Sequence, residues 1–391
     1  MNERADFPWH LGRLPFIWRP LPTPANLAGL PDSLPFALTI DEVTGRLCQA
    51  PDGTVSDALR QAYAVGSEIT GMMDEVGIGR RYADDFLAFL DRRLGSAAYA
   101  GMRILEIGCG NGYLLHRLRQ LGASVMGVEP GSQGAAGATR YDVDIVHDYF
   151  PTPAVSGRFD LVILYCVLEH LEDPAQLFDQ IAPHLATQGR VALAVPDCTP
   201  YVEHGDLSML FHEHWSYFDL PTLGALLQYC GLGESHIESA GFGGLLYAFA
   251  QEGAPAGAHA ADFAGRCQRA ARYRALASPM LDRLRKIVES VAGAGRSIGI
   301  YVPSRAVNAL SLIGAPPRGL RFFDDNPTLQ GTYFPGITVP VEPRACLLAN
   351  PTDDLLIFSH TFGERLRSEL TPRLPATRVI TWNELFHVAA G

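Results

Sequence analysis

Short apolar runs alternate along the chain with stretches whose apolar positions return every three or four residues, the signatures of strand and helix. Arg103-Ile-Leu-Glu-Ile107 reads as a strand, and the next stretch puts Leu114, Leu115, Leu118 and Leu121 on one helical side. Ala123–Glu129, Phe159–Leu164 and Gly189–Val195 read as further strands, with a helix predicted from Pro174 to His184. Regular alternation of this kind predicts a parallel α/β sheet. The same grammar returns downstream. A long helix is expected from Ala261 to about Ala292, then strands at Ser297–Val302, Leu320–Asp324, Asp354–Phe358 and Arg378–Thr381, with a helix from Ser304 to Ile313. Upstream, residues 1 to about 50 are rich in proline and weakly periodic. Helices are predicted from Ser56, as N-cap, to about Gly77 and from Arg81 to Leu94, where Phe86, Phe89 and Leu90 mark a buried face. Four parts follow: an N-terminal lid over 1–95, an α/β domain over 96–252, an Ala/Gly/Pro linker and long helix over 253–293, and a second α/β domain over 294–391.

Composition narrows the function classes. The chain has 391 residues, and 47% of them are hydrophobic against 19% charged, which excludes a disordered or fibrous protein. Its formal net charge of -11 and the lack of a dense Lys/Arg run argue against nucleic acid as the main partner. No apolar stretch is long enough to span a membrane. The charged start, Met1 to Asp6, is followed by Phe, Pro, Trp and His rather than an apolar run, so no secretory signal is expected. The seven cysteines are scattered, odd in number and without a CxxC pair, so reduced thiols and a cytoplasmic location are expected.

Glu106-Ile-Gly-Cys-Gly-Asn-Gly112 sits where a strand meets a helix. Gly108, Gly110 and Gly112 let the backbone turn tightly and approach a ligand. Such a loop serves NAD, FAD or S-adenosylmethionine, but the spacing is not the GxGxxG that caps a pyrophosphate. Glu106 ends the strand where a carboxylate meets a cationic ligand, and Glu129 ends the next strand, placed for ribose hydroxyls. This set resembles the class I S-adenosylmethionine-dependent methyltransferases, whose first motif is E/D-x-G-x-G-x-G with an acid at the end of the second strand. The resemblance implies a Rossmann-like central domain with S-adenosyl-L-methionine as cofactor. It places Asp148 near the adenine and aligns Phe159-Asp-Leu-Val and Val167-Leu-Glu-His-Leu with the fourth-strand segment.

Leu210-Phe-His-Glu-His-Trp-Ser-Tyr-Phe218 packs two imidazoles, a carboxylate and four aromatics into nine residues. Imidazole titrates near neutrality and a neighbouring carboxylate orients it, which suits proton abstraction. Metal binding competes, since His212, Glu213 and His214 are all ligand types. On an extended segment His212 and His214 share a face and Glu213 points away, and the zincin spacing HExxH is absent, so no metal is expected. The phrase resembles the nucleotide-sugar C-methyltransferases, which methylate C3 of an NDP-4-keto-deoxyhexose. That resemblance implies His214 as the base, Glu213 as its partner, His170 at the carbonyl oxygen, and Tyr63 from the N-terminal region in the site. Phe211, His212 and Tyr217 then fall on the acceptor side. The C-terminal run Ser297–Leu310, and Phe323-Asp-Asp-Asn-Pro327 with Gln330–Pro340, also resembles this family. It implies a domain that closes the cleft over the nucleotide end, with Asn308 and Asp324 as binding residues.

Three features depart from that pattern. Only Cys48 remains of the N-terminal cysteine pairs, so no structural zinc is expected. Phe211 replaces a tyrosine. Tyr301, Val302 and Pro303 replace small residues in the second loop. The expected reaction is methyl transfer to a carbon beside a ketone. An O-methyltransferase on the same fold and a non-catalytic sugar-nucleotide-binding protein are the alternatives.

Overall fold

The computed structural model describes residues 7–386, apart from 17–19, 26–28, 65–72, 96, 254–261, 315–318 and 335. Its centre is a seven-stranded sheet. Strands Arg103–Ile107, Ser124–Val128 and Ile145–Val146 run parallel towards one edge, and Phe159–Tyr165 and Leu185–Pro196 run parallel on the other side of Arg103–Ile107. Leu245–Gln251 then pairs antiparallel with Leu185–Pro196, and Glu234–Ser239 closes that edge. Numbered by appearance, the order is 3-2-1-4-5-7-6. The chain leaves the centre in one direction and returns on the other side, so a crevice opens at the carboxyl ends of Arg103–Ile107 and Phe159–Tyr165. The strands read as near-continuous apolar runs because helices cover both faces. Helix Gly77–Leu94 buries Phe86, Phe89 and Leu90 on one of them, as its spacing predicts.

The C-terminal domain repeats this plan. Strands Ile298–Tyr301, Leu320–Phe323, Val341–Glu342, Asp354–Ile357 and Arg378–Thr381 form an all-parallel sheet in the order 3-2-1-4-5. Helix Phe263–Gly293 joins the two domains. Its Cys267, Ala270, Tyr273 and Ala277 pack against the N-terminal sheet, and Leu284, Val288 and Val291 enter the C-terminal core. His360 Nε2 lies 2.8 Å from the buried Asp206 Oδ2 and ties the C-terminal domain to the segment before the histidine cluster.

The N-terminal region corrects its reading. The first fifty residues contain strands Trp9–Pro15, Ser33–Ile40 and Leu47–Gln49, which form an antiparallel sheet with Ser216–Tyr217. Leu34, Phe36, Leu38 and Ile40 alternate inward along the second of these. Its fourth strand is thus borrowed from the histidine segment. The first helix is Gly53–Ala64, and Asp52 rather than Ser56 caps it, with Oδ1 accepting from the Thr54 N–H at 2.8 Å. Ser56 donates instead to Glu172 at 2.8 Å. The remainder of that predicted helix up to residue 72, and the linker after Gly253, lie outside the described residues.

Candidate active site

The glycine loop follows strand Arg103–Ile107 at the crevice. Gly108, Gly110 and Gly112 all take positive φ, at 71°, 54° and 73°. A Cβ on Gly108 would stand 2.7 Å from the Val167 side chain, and one on Gly112 would meet Ile145 at 2.8 Å. Gly137 is a glycine the sequence did not single out: a Cβ there would fall 1.9 Å from the Asn111 carbonyl, so helix Ser132–Tyr141 rests directly on the loop.

Two carboxylates face this cradle. Glu129 Oε2 accepts from the Gly110 N–H at 2.9 Å and Oε1 from Gly131 at 2.7 Å, which aims the group and leaves lone-pair capacity for a diol. Glu106 is buried at 3% exposure, and its Oε2 has no partner among the described residues. Burial, reinforced by Glu129, raises its pKa well above the usual carboxylate range. A buried unpartnered acid of this kind is expensive unless a ligand brings a donor. The ammonium group of S-adenosylmethionine brings both donors and a positive charge, so this pair of carboxyl acceptors fits the cofactor. Asp148 lies exposed on the loop after Ile145–Val146, where hydrogen bonds from Thr152 and the Tyr149 N–H lower its pKa.

Across the crevice, Val167 carries the contact from Gly108 to the acid-base cluster. A short 3-10 turn, Leu168–His170, places Glu169 and His170 there. His170 Nδ1 lies 3.1 Å from the Glu213 carbonyl oxygen, and the His170 and His214 rings meet edge-on with centroids 5.1 Å apart. Glu169, His170 and His214 hold ligand-type atoms within 4.8 Å of one another. Withdrawal from solvent governs this cluster. It lowers His170 to about 4 and His214 well below its usual value, the latter with help from His170 and Arg305. It raises Glu169 to about 8 and Glu213 to about 7. Both imidazoles are therefore neutral at pH 7. Tyr63 packs against the apolar cluster of Phe16, Leu34, Val55 and Trp215, within reach of the charges of Glu213, Glu169 and Glu129.

The histidine segment is a turn rather than an extended strand. The His214 N–H donates to the Phe211 carbonyl at 3.0 Å, so His212 and His214 do not share a face. His212 points into the N-terminal sheet, with Nδ1 3.2 Å from Gln49 Oε1, Nε2 3.3 Å from the Leu14 carbonyl, and Phe36 against its ring. Both nitrogens are occupied, which corrects its assignment to the acceptor side. Tyr217 is 2% exposed and donates to the Phe211 carbonyl at 3.3 Å. Asn308, also 2% exposed, donates to the Leu210 carbonyl. These two brace the segment. Asp324 ends the second strand of the C-terminal sheet, away from the cluster, and burial raises it to about 6.

Two residues were missed. Glu169 sits beside the histidine that was chosen, and nothing in the sequence distinguished it from a surface acid. Arg305 lies at the start of helix Pro303–Ile313, its guanidinium 5.6 Å from the Phe211 ring centre and 5.7 Å from that of Tyr201. No described residue forms a hydrogen bond or ion pair with it. Its charge reaches both Glu213 and His214.

Comparison with known proteins agrees with the geometry. Residues 78–233 match a family model described as a methyltransferase domain. The chain carries a class I S-adenosylmethionine methyltransferase domain. The C-methyltransferase NovU of Streptomyces niveus is 26% identical over 261 residues, covering 62% of this chain and 62% of NovU. A ubiquinone biosynthesis O-methyltransferase of Nitrobacter winogradskyi is 36% identical over 100 residues, 24% of this chain and 38% of that protein. The chain thus spans less than two thirds of the length of either relative. Among solved structures, a DhpI-SAM-HEP complex covers 52% of this chain and all of its own at 20% identity and a TM-score of 0.41. No helix among the described residues is long and apolar enough to cross a membrane, and none of the seven cysteines forms a disulfide.

Proposed function

We propose that the protein transfers a methyl group from S-adenosylmethionine to a carbon beside a ketone, with C3 of a nucleotide-linked 4-keto-deoxysugar as the acceptor. One observation carries the reading: a pair of neutral, solvent-withdrawn imidazoles stands across Val167 from the glycine loop. A hydroxyl or an amine needs less than this, whereas a carbon acid needs a base and a stabilised oxygen together. When bound, the cofactor supplies an electrophilic methyl. The protein supplies the rest. His214, unprotonated, takes the proton from the carbon; His170 faces the ketone oxygen; Glu213 holds the His170 ring through its carbonyl. Tyr63 covers the gap between the two halves of the site.

Arg305 supports an anionic acceptor. A guanidinium with no carboxylate partner among the described residues, at a helix N-terminus and between two aromatic rings, suits a phosphate. The C-terminal domain then holds the nucleotide end, with Asp324 at the second strand end where a ribose is read in doubly wound folds. The likeness to NovU over most of the chain supports carbon as the acceptor atom. The likeness to the O-methyltransferase covers only 24% of the chain and says nothing of the acceptor. The scattered thiols, none of them in a disulfide, favour the cytoplasm.

The test is incubation with methyl-labelled S-adenosylmethionine and a panel of 4-keto-deoxysugar nucleotides in deuterated water. Methylation on carbon, with deuterium entering beside the ketone, is expected from the wild type. His214→Ala should cost about 10³-fold in both while cofactor affinity holds. Methylation on oxygen without exchange would move the reading to a hydroxyl acceptor.

A further inference from the structure

The hydrogen bond that orients His170 creates a chemical problem at its other nitrogen. A carbonyl oxygen only accepts, so the contact with the Glu213 carbonyl at 3.1 Å puts the imidazole hydrogen on Nδ1. Neutral His170 therefore offers a bare lone pair at Nε2. That atom cannot donate to an enolate oxygen, which is the role the reading above requires of it. A second proton has to reach Nε2, and burial disfavours drawing it from solvent.

The neighbour of Nε2 is Glu169. Its Oε1 stands 3.9 Å away, and the whole residue is 1% exposed. Its Oε2 is buried with no partner among the described residues. The backbone is fixed here, because the Trp215 N–H donates to the Glu169 carbonyl at 2.7 Å and locks the turn to the histidine segment. The titratable groups around the carboxyl are Cys166, His170, His214, Glu213, Tyr63 and Cys198. None of them is a standing cation. A nearby cation, Arg305, acts on Glu213 and His214 from the C-terminal domain.

We propose that Glu169 carries the proton that turns His170 into a hydrogen-bond donor, so that this carboxyl–imidazole pair is the acid at the ketone oxygen. This rests on the carbon-acid reading given above. As His214 removes the carbon proton, negative charge grows on the ketone oxygen. The Glu169 O–H bond breaks with its electron pair left on the carboxylate, an N–H bond forms at His170 Nε2, and that hydrogen is shared with the enolate oxygen. The pair shares one transferable proton and carries no net charge either before or after that proton moves, which suits a site of low polarity. Glu169 acts through His170 and is a positioning residue. Closing 3.9 Å to hydrogen-bond distance needs about 1 Å of side-chain movement, within what substrate binding tightens.

The decisive measurement is deuterium wash-in beside the ketone with S-adenosylhomocysteine bound, followed against pH in wild type, Glu169→Gln and Glu169→Asp. The wild-type rate should fall as pH rises through the ionisation of the pair, because the acid is then lost. Glu169→Gln should lower the rate at neutral pH by about 10²-fold and abolish that basic limb, with cofactor affinity and acceptor KM unchanged. Glu169→Asp should recover part of the rate and the limb. A Glu169→Gln protein that exchanges at the wild-type rate with the same basic limb overturns the proposal and leaves the carbon-acid reading standing. Loss of cofactor binding together with exchange assigns Glu169 a structural role and also overturns it. No exchange in the wild type on any keto-sugar overturns both. Infrared spectra of unmodified protein give a check that needs no glutamine variant to fold: a carboxylic-acid band present at neutral pH, lost on raising the pH and shifted in Glu169→Asp, is expected, and its absence overturns the proposal.

Discussion

The central sheet and the C-terminal sheet share the strand order 3-2-1-4-5 over their parallel strands, yet their first loops are built in opposite ways. In the central domain three glycines with positive φ leave a hollow lined by Glu106 and Glu129. In the C-terminal domain the equivalent turn is Tyr301-Val302-Pro303, and Val302 takes a φ of 61°. Tyr301 is buried, its hydroxyl donating to Asp325 at 2.6 Å and accepting from Arg344 at 2.8 Å. The second turn thus carries large side chains of its own, whereas the first has none and is packed from outside by Val167 and Ile145. What survives at the second loop is the helix N-terminus and Arg305, directed at the other domain's cluster. The same topology yields a cofactor cradle in one place and, under the function proposed above, a point of anion contact in the other, because side chains at the turn decide whether a ligand reaches the backbone.

The sharpest way to break this contrast is to give the first loop the residue of the second. Gly112→Val adds a β-branched side chain at φ 73°, against Ile145 and Val143. Calorimetry should show S-adenosylmethionine affinity lower by about 10²-fold or more. Unchanged affinity would mean that the hollow is not the cofactor site.

The buried acids give the next effect. Glu169 titrates near 4.5 when unfolded and about 8 when folded, so folding keeps a proton that the open chain loses. Its contribution is full below 4.5 and is lost as pH rises to 8. His170, lowered from 6.5 to about 4, works the other way and weakens the fold as pH falls through that window. The melting temperature should therefore drop between pH 6.5 and 8, and Glu169→Gln should flatten that drop. Asp324, raised only from 3.8 to about 6, predicts no such fall above pH 6.5 for the C-terminal domain.

Arg305→Ala sharpens the comparison from the other side. It should raise the KM of a phosphorylated acceptor about 10-fold and leave cofactor affinity unchanged, measured by initial rates and calorimetry. An equal loss of both would make Arg305 a structural cation. The smallest effect belongs to Val302→Gly. It removes a β-branched residue from the left-handed region and should change stability by about 1 kcal/mol or less, in the stabilising direction, by chemical denaturation.

Much of the site could be read from local sequence because it is local. Glu106, the three glycines and Glu129 lie at strand ends, and strand-turn-helix grammar places them whatever the rest of the chain does. The N-terminal sheet was hidden for the opposite reason. Ser33–Ile40 does alternate, but Pro35 interrupts it, and the sheet's fourth strand, Ser216–Tyr217, comes from far along the chain to pair with Leu47–Gln49. Asp52 displaced Ser56 as a cap because both residue types suit the position and only the backbone decides between them.

The sequence by itself determined the α/β class, the cofactor loop and the presence of an imidazole cluster, since periodicity and glycine spacing act over a few residues. Only the tertiary structure decided which histidine does what. His212 and His214 are two residues apart and chemically identical, yet a turn sends one into the N-terminal sheet and the other to His170. The same holds for Glu169 and Arg305, whose charges gain meaning from burial and from neighbours contributed by other elements. Burial and long-range contact set the proton affinity of a side chain, and neither is written in its immediate neighbours along the chain.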